Sequence, residues 1–102
     1  MSAPPYVLVY SNEAEAILDD LRSKAHFAGK LKKVRKALRL LEQVGPSHPG
    51  LATHQYQSVK GPDGAAVWES YVENRTPSAW RMWWIYGPAP DTITIVTIGP
   101  HP

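Results

Sequence analysis

The first part of the chain predicts one strand followed by a helix. Residues 6–10, YVLVY, are rich in β-branched and aromatic side chains, which favour a strand. In the following SNEAE segment, Asn12 is the predicted helix cap, and Glu15 completes a capping box three residues later. The apolar positions at helical spacing are Ala14, Ile17, Leu18, Leu21 and Ala25. Gly29 is predicted to separate this helix from a second one.

The second helix has the clearer pattern. Its apolar stripe consists of Leu31, Val34, Leu38 and Leu41. Basic side chains lie along another side of the same helix, namely Lys32, Lys36 and Arg39. The helix is predicted to end in the VGPSHPG segment, through Gly45 and Pro46. The two helices are therefore expected to form a hairpin with a basic outer surface.

After Gly50 the pattern is typical of β-structure. Four strands are predicted, at 51–60 (LATHQYQSVK), 65–74 (AAVWESYVEN), 78–86 (SAWRMWWIY) and 92–98 (TITIVTI). The segments GPDG, RTP and GPAPD separate them, and such short turns join antiparallel neighbours. The expected fold class is therefore α+β: an N-terminal strand, a helical hairpin, then an antiparallel β-sheet with the helices on one face, in the order βααββββ.

Length and composition indicate one compact unit. The chain has 102 residues, of which 43% are hydrophobic, so a single domain is expected over residues 1–102. The absence of Cys excludes disulfides, thiolate nucleophiles and Cys-based zinc sites, and it favours a reducing compartment. No apolar run reaches membrane-spanning length and no signal-peptide pattern is present, so we expect a cytoplasmic protein without a membrane partner.

The basic residues are concentrated in one segment. Residues 22–39 carry eight Lys and Arg and no acid, although the net charge of the whole chain is only +2. Such a segment either binds a polyanion or forms a solvated helix face. Both interpretations stay open at this stage.

Strand alternation predicts which side chains share a face of the sheet. Glu69, Tyr71 and Glu73 point to one side of their strand. Arg81 and Trp83 share one side of the next strand. If RTP is a three-residue loop, Tyr71 lies opposite Arg81 and, two residues along, Glu69 lies opposite Trp83. These side chains would then occupy an open face of the sheet, away from the helices; a plain cross-strand ion pair with a stacked Trp is the alternative.

Further polar candidates lie on neighbouring segments. By the same alternation, the polar strand at 51–60 places His54, Tyr56 and Lys60 on one side. His101 follows the last strand, and imidazole exchanges protons near neutral pH. The histidines lack metal-ligand spacing, so no metal is expected, and the chain has no nucleotide-binding or metalloprotease motif.

The element order, the block VWESYVENRTPSAWRMWWIYGP and the closing TITIVTIGPHP resemble the RelE/ParE superfamily of type II toxin-antitoxin toxins. The resemblance covers nearly the whole chain, and the aromatic-Arg-apolar step at Trp80, Arg81 and Met82 is its most specific part. It implies a RelE/ParE-like fold and a protein antitoxin as partner. For the ribonuclease branch, it implies cleavage of messenger RNA, usually on the ribosome, without a metal or other cofactor.

The resemblance also implies roles for individual residues. Arg81 matches the family's strand arginine and would hold the scissile phosphate through its planar guanidinium. Glu69 is the candidate base, although a histidine could take that role, and His101 would be the general acid. The further candidates for orienting the RNA or binding phosphate are Tyr71, His54 and Lys60. The rest of the predicted RNA-binding set is Trp83, Lys32, Lys33, Lys36 and Arg39.

Three functions stay open. The first is a metal-independent endoribonuclease that cleaves mRNA and arrests translation. The second, from the ParE branch, is a non-enzymatic toxin that inhibits DNA gyrase by binding. The third is a non-toxic phage or host regulatory module of the same fold. A joint requirement for Arg81, Glu69 and His101 would favour the first. The basic helix surface could bind ribosomal RNA or an acidic segment of the antitoxin.

Overall fold

The computed structural model of the protein describes residues 3–102, so the first two residues of the expected 1–102 domain lie outside the described range. The elements are β1 (Val7–Tyr10), α1 (Asn12–Ser23), α2 (Ala28–Gln43), β2 (His54–Tyr56), β3 (Val67–Tyr71), β4 (Trp80–Tyr86) and β5 (Thr92–Pro100). This order confirms the predicted α+β class. Within the described range, no helix has the length and apolar character that crossing a bilayer requires.

The strands form one five-stranded sheet in the order β1-β5-β4-β3-β2. The last four strands are antiparallel neighbours, as their short turns predict. β1 pairs in parallel with β5. After β1, the two helices carry the chain to the far edge of the sheet, and β2 to β5 then return strand by strand until β5 lies beside β1. β2 is much shorter than the predicted strand at 51–60, since a 3₁₀ turn at Pro49–Leu51 precedes it.

The helices pack on one face of the sheet, and the core lies between the two layers. The predicted stripe of α2 is confirmed in its main part, with Val34, Leu38 and Leu41 buried. The sheet contributes Met82 and Trp84, both 0% exposed. Further core residues from the other elements are Tyr6, Ala14, Leu18, Leu21, Ala37, Leu51, Ile93, Ile95 and Ile98. Burial of these apolar side chains holds the helical hairpin against the sheet.

The start of α1 differs from the prediction. Ser11 caps the helix, because its Oγ accepts a hydrogen bond from the backbone N–H of Ala14 at 3.0 Å. The same Oγ donates to the carbonyl oxygen of Val96 at 2.5 Å. The predicted cap at Asn12 and its capping box with Glu15 are therefore wrong. Ser11 joins the helix start to the last strand, which a local sequence pattern does not reveal.

Glycines predicted both ends of α2, and only the second of these predictions is correct. Gly29 lies in the first turn of α2, so the predicted break at this position is wrong; the chain turns earlier, through a 3₁₀ turn at Ala25–Phe27. The predicted end is confirmed. Gly45 has a φ of 99°, and its N–H donates to the carbonyl oxygen of Leu40 at 3.0 Å. Glycine adopts this left-handed conformation without steric cost.

A bulge in β5 keeps the core continuous to the end of the sheet. The pairing between β4 and β5 shifts by one residue after Trp83, and the extra residue in β5 is Val96. In a regular strand Ile98 would lie on the opposite face from Ile95. The extra residue returns Ile98 to the core, where it is 2% exposed.

Candidate active site

The pairing of β3 with β4 determines which side chains of the site lie next to each other. Tyr71 lies opposite Arg81, and Glu69 lies opposite Trp83, as predicted. The premise of a three-residue turn is wrong, because the strands stop at Tyr71 and Trp80 and residues 72–79 form a longer loop. The register is nevertheless correct: alternation puts these side chains on one face, and the observed pairing is the one that the assumed turn predicts.

This face of the sheet is not open, contrary to the prediction. The Glu69 side chain is 2% exposed and the Arg81 side chain 11%. Trp83 is 8% exposed, and the ring of Tyr56 packs edge-on against it with the centroids 5.9 Å apart. Side chains of β2 and of the segment after β5 surround these residues, which alternation alone does not predict. The ion pair therefore lies at the base of the site and not on its surface.

Four side chains converge on the carboxylate of Glu69. The indole Nε1 of Trp83 donates to Oε1 at 2.9 Å. Oε2 lies 3.2 Å from Nε2 of His54, 3.6 Å from Nε of Arg81 and 3.8 Å from Nε2 of His101. A carboxylate removed from water is stable only with hydrogen bonds and opposite charge around it. Its neighbours provide both.

The guanidinium of Arg81 is held on several sides. Nη1 donates to the carbonyl oxygens of Glu73, at 2.5 Å, and Trp80, at 3.1 Å. The guanidinium carbon lies 3.6 Å from the centroid of the Tyr71 ring, which is a cation–π contact. Nε is buried without a hydrogen bond, and Nη2 makes none to any residue in the described range. Nη2 is therefore the nitrogen that remains to bind an anion.

The two histidines form the accessible rim of the site. Their side chains are 50% exposed for His54 and 49% for His101. Nδ1 of His54 lies 3.0 Å from the carbonyl oxygen of Ala52, and Nδ1 of His101 lies 2.9 Å from that of Pro102. With Nδ1 donating to a carbonyl, Nε2 is an acceptor in the neutral ring and a second donor in the protonated ring. Nε2 of each ring lies close to the same carboxylate.

Glu73 leaves the face that alternation predicts for it. The N–H groups of Val72 and Glu73 both donate to the carbonyl oxygen of Trp80, so regular alternation ends there. The Glu73 carboxylate turns toward α2 and binds Lys30 at 2.6 Å and Lys33 at 3.1 Å. Desolvation opposes its ionisation, but these bonds and one from the N–H of Trp80 lower the pKa of Glu73 to about 2.

Other predicted binding residues are spread over different surfaces. Lys60 makes no ion pair with the Glu69 cluster within the described range; it lines an apolar groove of about 480 Å³, whose wall also includes Trp83. Lys33 and Lys36 line a groove beside the loop at 72–79. Arg39 lines a different groove, between the helices, and Lys32 is exposed but lines neither. The predicted basic surface of α2 therefore has two separate sides.

No group of three or more His, Asp or Glu side chains within residues 3–102 is arranged to hold a metal ion. Sequence reasoning found the members of the Glu69 cluster, because alternation and the position after β5 indicate them. It missed the role of Glu73. Its partners Lys30 and Lys33 lie some forty residues away in the chain, and only the packing of α2 against the loop brings them together.

The sequence matches no known family model and no curated protein sequence. Its structure is similar to that of a YoeB dimer from Staphylococcus aureus, with a TM-score of 0.67 at 10% identity over 96% of this chain and 99% of that one. A YoeB/ParE toxin from Agrobacterium tumefaciens gives 0.67 at 14% identity over 94% and 99%. The RelE-RelB complex from the archaeon Pyrococcus horikoshii OT3 gives 0.62 at 10% identity over 94% of each chain. The chain therefore has the RelE/ParE-like toxin fold.

Proposed function

We propose that this chain, which has the fold of the RelE/ParE toxins, is a toxin of a type II toxin-antitoxin system that cleaves messenger RNA. The observation that carries the proposal is the convergence of Arg81, His54 and His101 on the carboxylate of Glu69. A cation and two proton carriers at one point are what RNA cleavage requires when no metal takes part.

Cleavage of this kind is a transesterification. The 2′-oxygen of one nucleotide attacks the adjacent phosphorus, and the bond from phosphorus to the 5′-oxygen of the next nucleotide breaks. A base takes the proton of the 2′-hydroxyl, and an acid gives a proton to the departing 5′-oxygen. A cation stabilises the charge that develops on the phosphate. The products are a 2′,3′-cyclic phosphate and a 5′-hydroxyl.

Arg81 would supply the cation. Its Nη1 is held by two backbone carbonyls, and its Nε faces Glu69, so the guanidinium plane has a fixed direction before RNA binds. The Tyr71 ring covers one side of that plane. A phosphate would therefore approach along the edge that carries Nη2. A donor fixed in advance costs little reorganisation in the transition state.

The two histidines would carry the protons. We assign the general acid to His101, as the resemblance implies, and the base to His54. Glu69 was the candidate base, but its side chain is 2% exposed and accepts a hydrogen bond from Trp83. This burial supports a positioning role, in which Glu69 holds Nε2 of both histidines near Arg81.

The proposed partners follow from the same reasoning. One structural neighbour is a toxin in complex with RelB, which supports a protein antitoxin as partner. The proposed substrate is messenger RNA, bound at the ribosome, and the proposed place of action is the cytoplasm. On α2, Lys33 and Lys36 would contact RNA phosphates, and such contacts position a protein without reading sequence.

Expression in a bacterial culture tests the proposal. Wild type, Arg81→Ala and the control Arg22→Ala are induced separately, and primer extension maps 5′ ends on a reporter message. Arg22 is a suitable control because it is exposed on α1 and pairs with Asp19. We expect arrest and new 5′ ends with wild type and Arg22→Ala, and neither with Arg81→Ala. Growth arrest without new 5′ ends would favour inhibition of DNA gyrase by binding. Normal growth would favour a non-toxic regulatory module.

A further inference from the structure

A second cavity begins where the candidate active site ends. It is a groove of about 470 Å³ between α2, the segment at His48 and the loop at 72–79; we call it the flank groove. Tyr71 belongs to both places. Its ring faces the Arg81 guanidinium at 3.6 Å and also lines the flank groove. A chain molecule bound at Arg81 could therefore continue past Tyr71 into the groove.

The flank groove combines a basic rim with an apolar floor. Lys33 and Lys36 lie on the rim, and the floor includes Ala37, Leu40 and Val72. This combination suits a nucleotide, because ammonium groups bind phosphate while aromatic and apolar surfaces pack against the base. Tyr71 adds an aromatic residue to the lining of the groove.

His48 adds a directed donor to the same rim. Its Nδ1 accepts a hydrogen bond from the N–H of Gly50 at 3.0 Å. In the neutral ring the proton is therefore on Nε2, which can donate to a phosphate oxygen. Glu73 is the one acidic lining residue of the groove in the described chain, and Lys30 and Lys33 already bind its carboxylate. The charge of Lys36 is not offset in this way.

The opposite side of α2 has different chemistry. A groove between the two helices is lined by three arginines and three acids, so its charges balance; these residues are Arg22, Arg35, Arg39, Glu15, Asp19 and Glu42. A polyanion there would meet carboxylates. That groove also does not contain Tyr71 and is not continuous with the Arg81 site. The charge and the continuity therefore favour the flank groove as the RNA-binding side of α2.

We propose that the flank groove binds the single-stranded RNA on one side of the scissile phosphate. Lys36 and His48 bind the phosphate of a flanking nucleotide, and Tyr71 and the apolar floor pack against its base. This inference rests on the proposed function and adds a subsite to it. Its central prediction is that Lys36 contributes to RNA binding while its neighbour Arg35, on the other side of the helix, does not.

The test uses ribosomes programmed with three synthetic messages that share one cut site. One extends several nucleotides on both sides of the cut, one is truncated on the 5′ side and one on the 3′ side. KM and kcat are measured for wild type, Lys36→Ala, His48→Ala and the control Arg35→Ala, after thermal unfolding has shown that each variant folds.

We expect Lys36→Ala and His48→Ala to raise KM for the extended message about threefold to tenfold with kcat nearly unchanged, and Arg35→Ala to match wild type. The two variants should equal wild type on the message that lacks the flanking nucleotides in the groove. Equal effects of Lys36→Ala and Arg35→Ala would overturn the inference, as would an unchanged KM in both Lys36→Ala and His48→Ala. Cleavage of none of the messages by wild type would instead overturn the proposed function.

Discussion

Arg81 and Glu73 are joined through the backbone: Nη1 of Arg81 donates to the Glu73 carbonyl oxygen at 2.5 Å, while the Glu73 carboxylate binds Lys30 and Lys33 of α2. The side chain that we assign to the phosphate is therefore oriented by the same residue that anchors the loop at 72–79 to the helix. A substitution of Glu73 should therefore change both the stability of the protein and the position of the Arg81 side chain.

Replacing Glu73 by Gln should make the free energy of unfolding vary less with pH in the acid range. The pKa of Glu73 is lowered from 4.5 to about 2 in the folded chain, so the ionised carboxylate stabilises the fold above about pH 5 and loses this effect as pH falls toward 2. We expect Glu73→Gln to lower the free energy of unfolding by about 1–3 kcal/mol at pH 7 and by less at pH 3. Urea unfolding at both pH values measures this. An equal difference at the two pH values would contradict the ion-pair interpretation.

Ser11→Ala should be more destabilising than Asn12→Ala. The Ser11 hydroxyl both caps α1 and bonds to Val96, whereas Asn12 is already inside the helix and exposed. Loss of a helix cap costs about 1 kcal/mol. Thermal or urea unfolding of the two variants gives the comparison directly. If Asn12→Ala were the more harmful change, the cap would be at the position that the local sequence pattern suggests.

The ring of Tyr71, and not its hydroxyl, should matter for activity. The contact with Arg81 is a cation–π contact at 3.6 Å, which Phe preserves and Leu removes. Such contacts contribute about 0.5–1 kcal/mol at exposed sites and more when they are desolvated. Tyr71→Leu should therefore lower kcat/KM by at least about twofold to fivefold. Tyr71→Phe should stay near wild type. A large loss in Tyr71→Phe would show that the hydroxyl takes part in catalysis.

The two histidines should affect opposite sides of the pH–rate profile. A base is active when deprotonated, so His54→Ala should remove the rise of kcat from low pH. An acid is active when protonated, so His101→Ala should remove the fall of kcat at high pH. Each replacement should lower kcat about 10²-fold to 10⁴-fold. A profile that keeps both limbs in His54→Ala would reject its role as base, and the same test applies to His101.

The sequence predicted the helices, the strands and the strand pairing better than it predicted the solvent exposure of the site residues. Helical and strand periodicity are local, and alternation placed Tyr71 and Arg81 on the same face. The assumed three-residue turn gave the correct register although the actual loop is longer. Positive φ values of 61° at Arg75 and 54° at Ser78 shape the actual loop, and neither is a glycine. Periodicity carries no information about such a loop.

The parts of the site that could not be predicted depend on contacts between distant segments. Glu69 is buried because side chains of the neighbouring strand β2 and of the segment at His101 close around it, and no pattern within β3 indicates this. Ser11 was overlooked as a cap because its second partner, Val96, is 85 residues away. In both cases contacts between segments far apart in the chain decided the outcome.

The central claim is that the cluster around Glu69 cleaves RNA with Arg81 at the phosphate. The most direct measurement is the chemistry of the ends produced when the purified protein acts on a message in a purified translation system. Arg81→Lys and Arg81→Ala are measured beside wild type, with thermal unfolding as the check on folding. A chelator-resistant cut that leaves a 2′,3′-cyclic phosphate and a 5′-hydroxyl, lost in Arg81→Ala and weakened in Arg81→Lys, is the result we predict. An intact message with wild type, or the same cut with folded Arg81→Ala, would contradict the account.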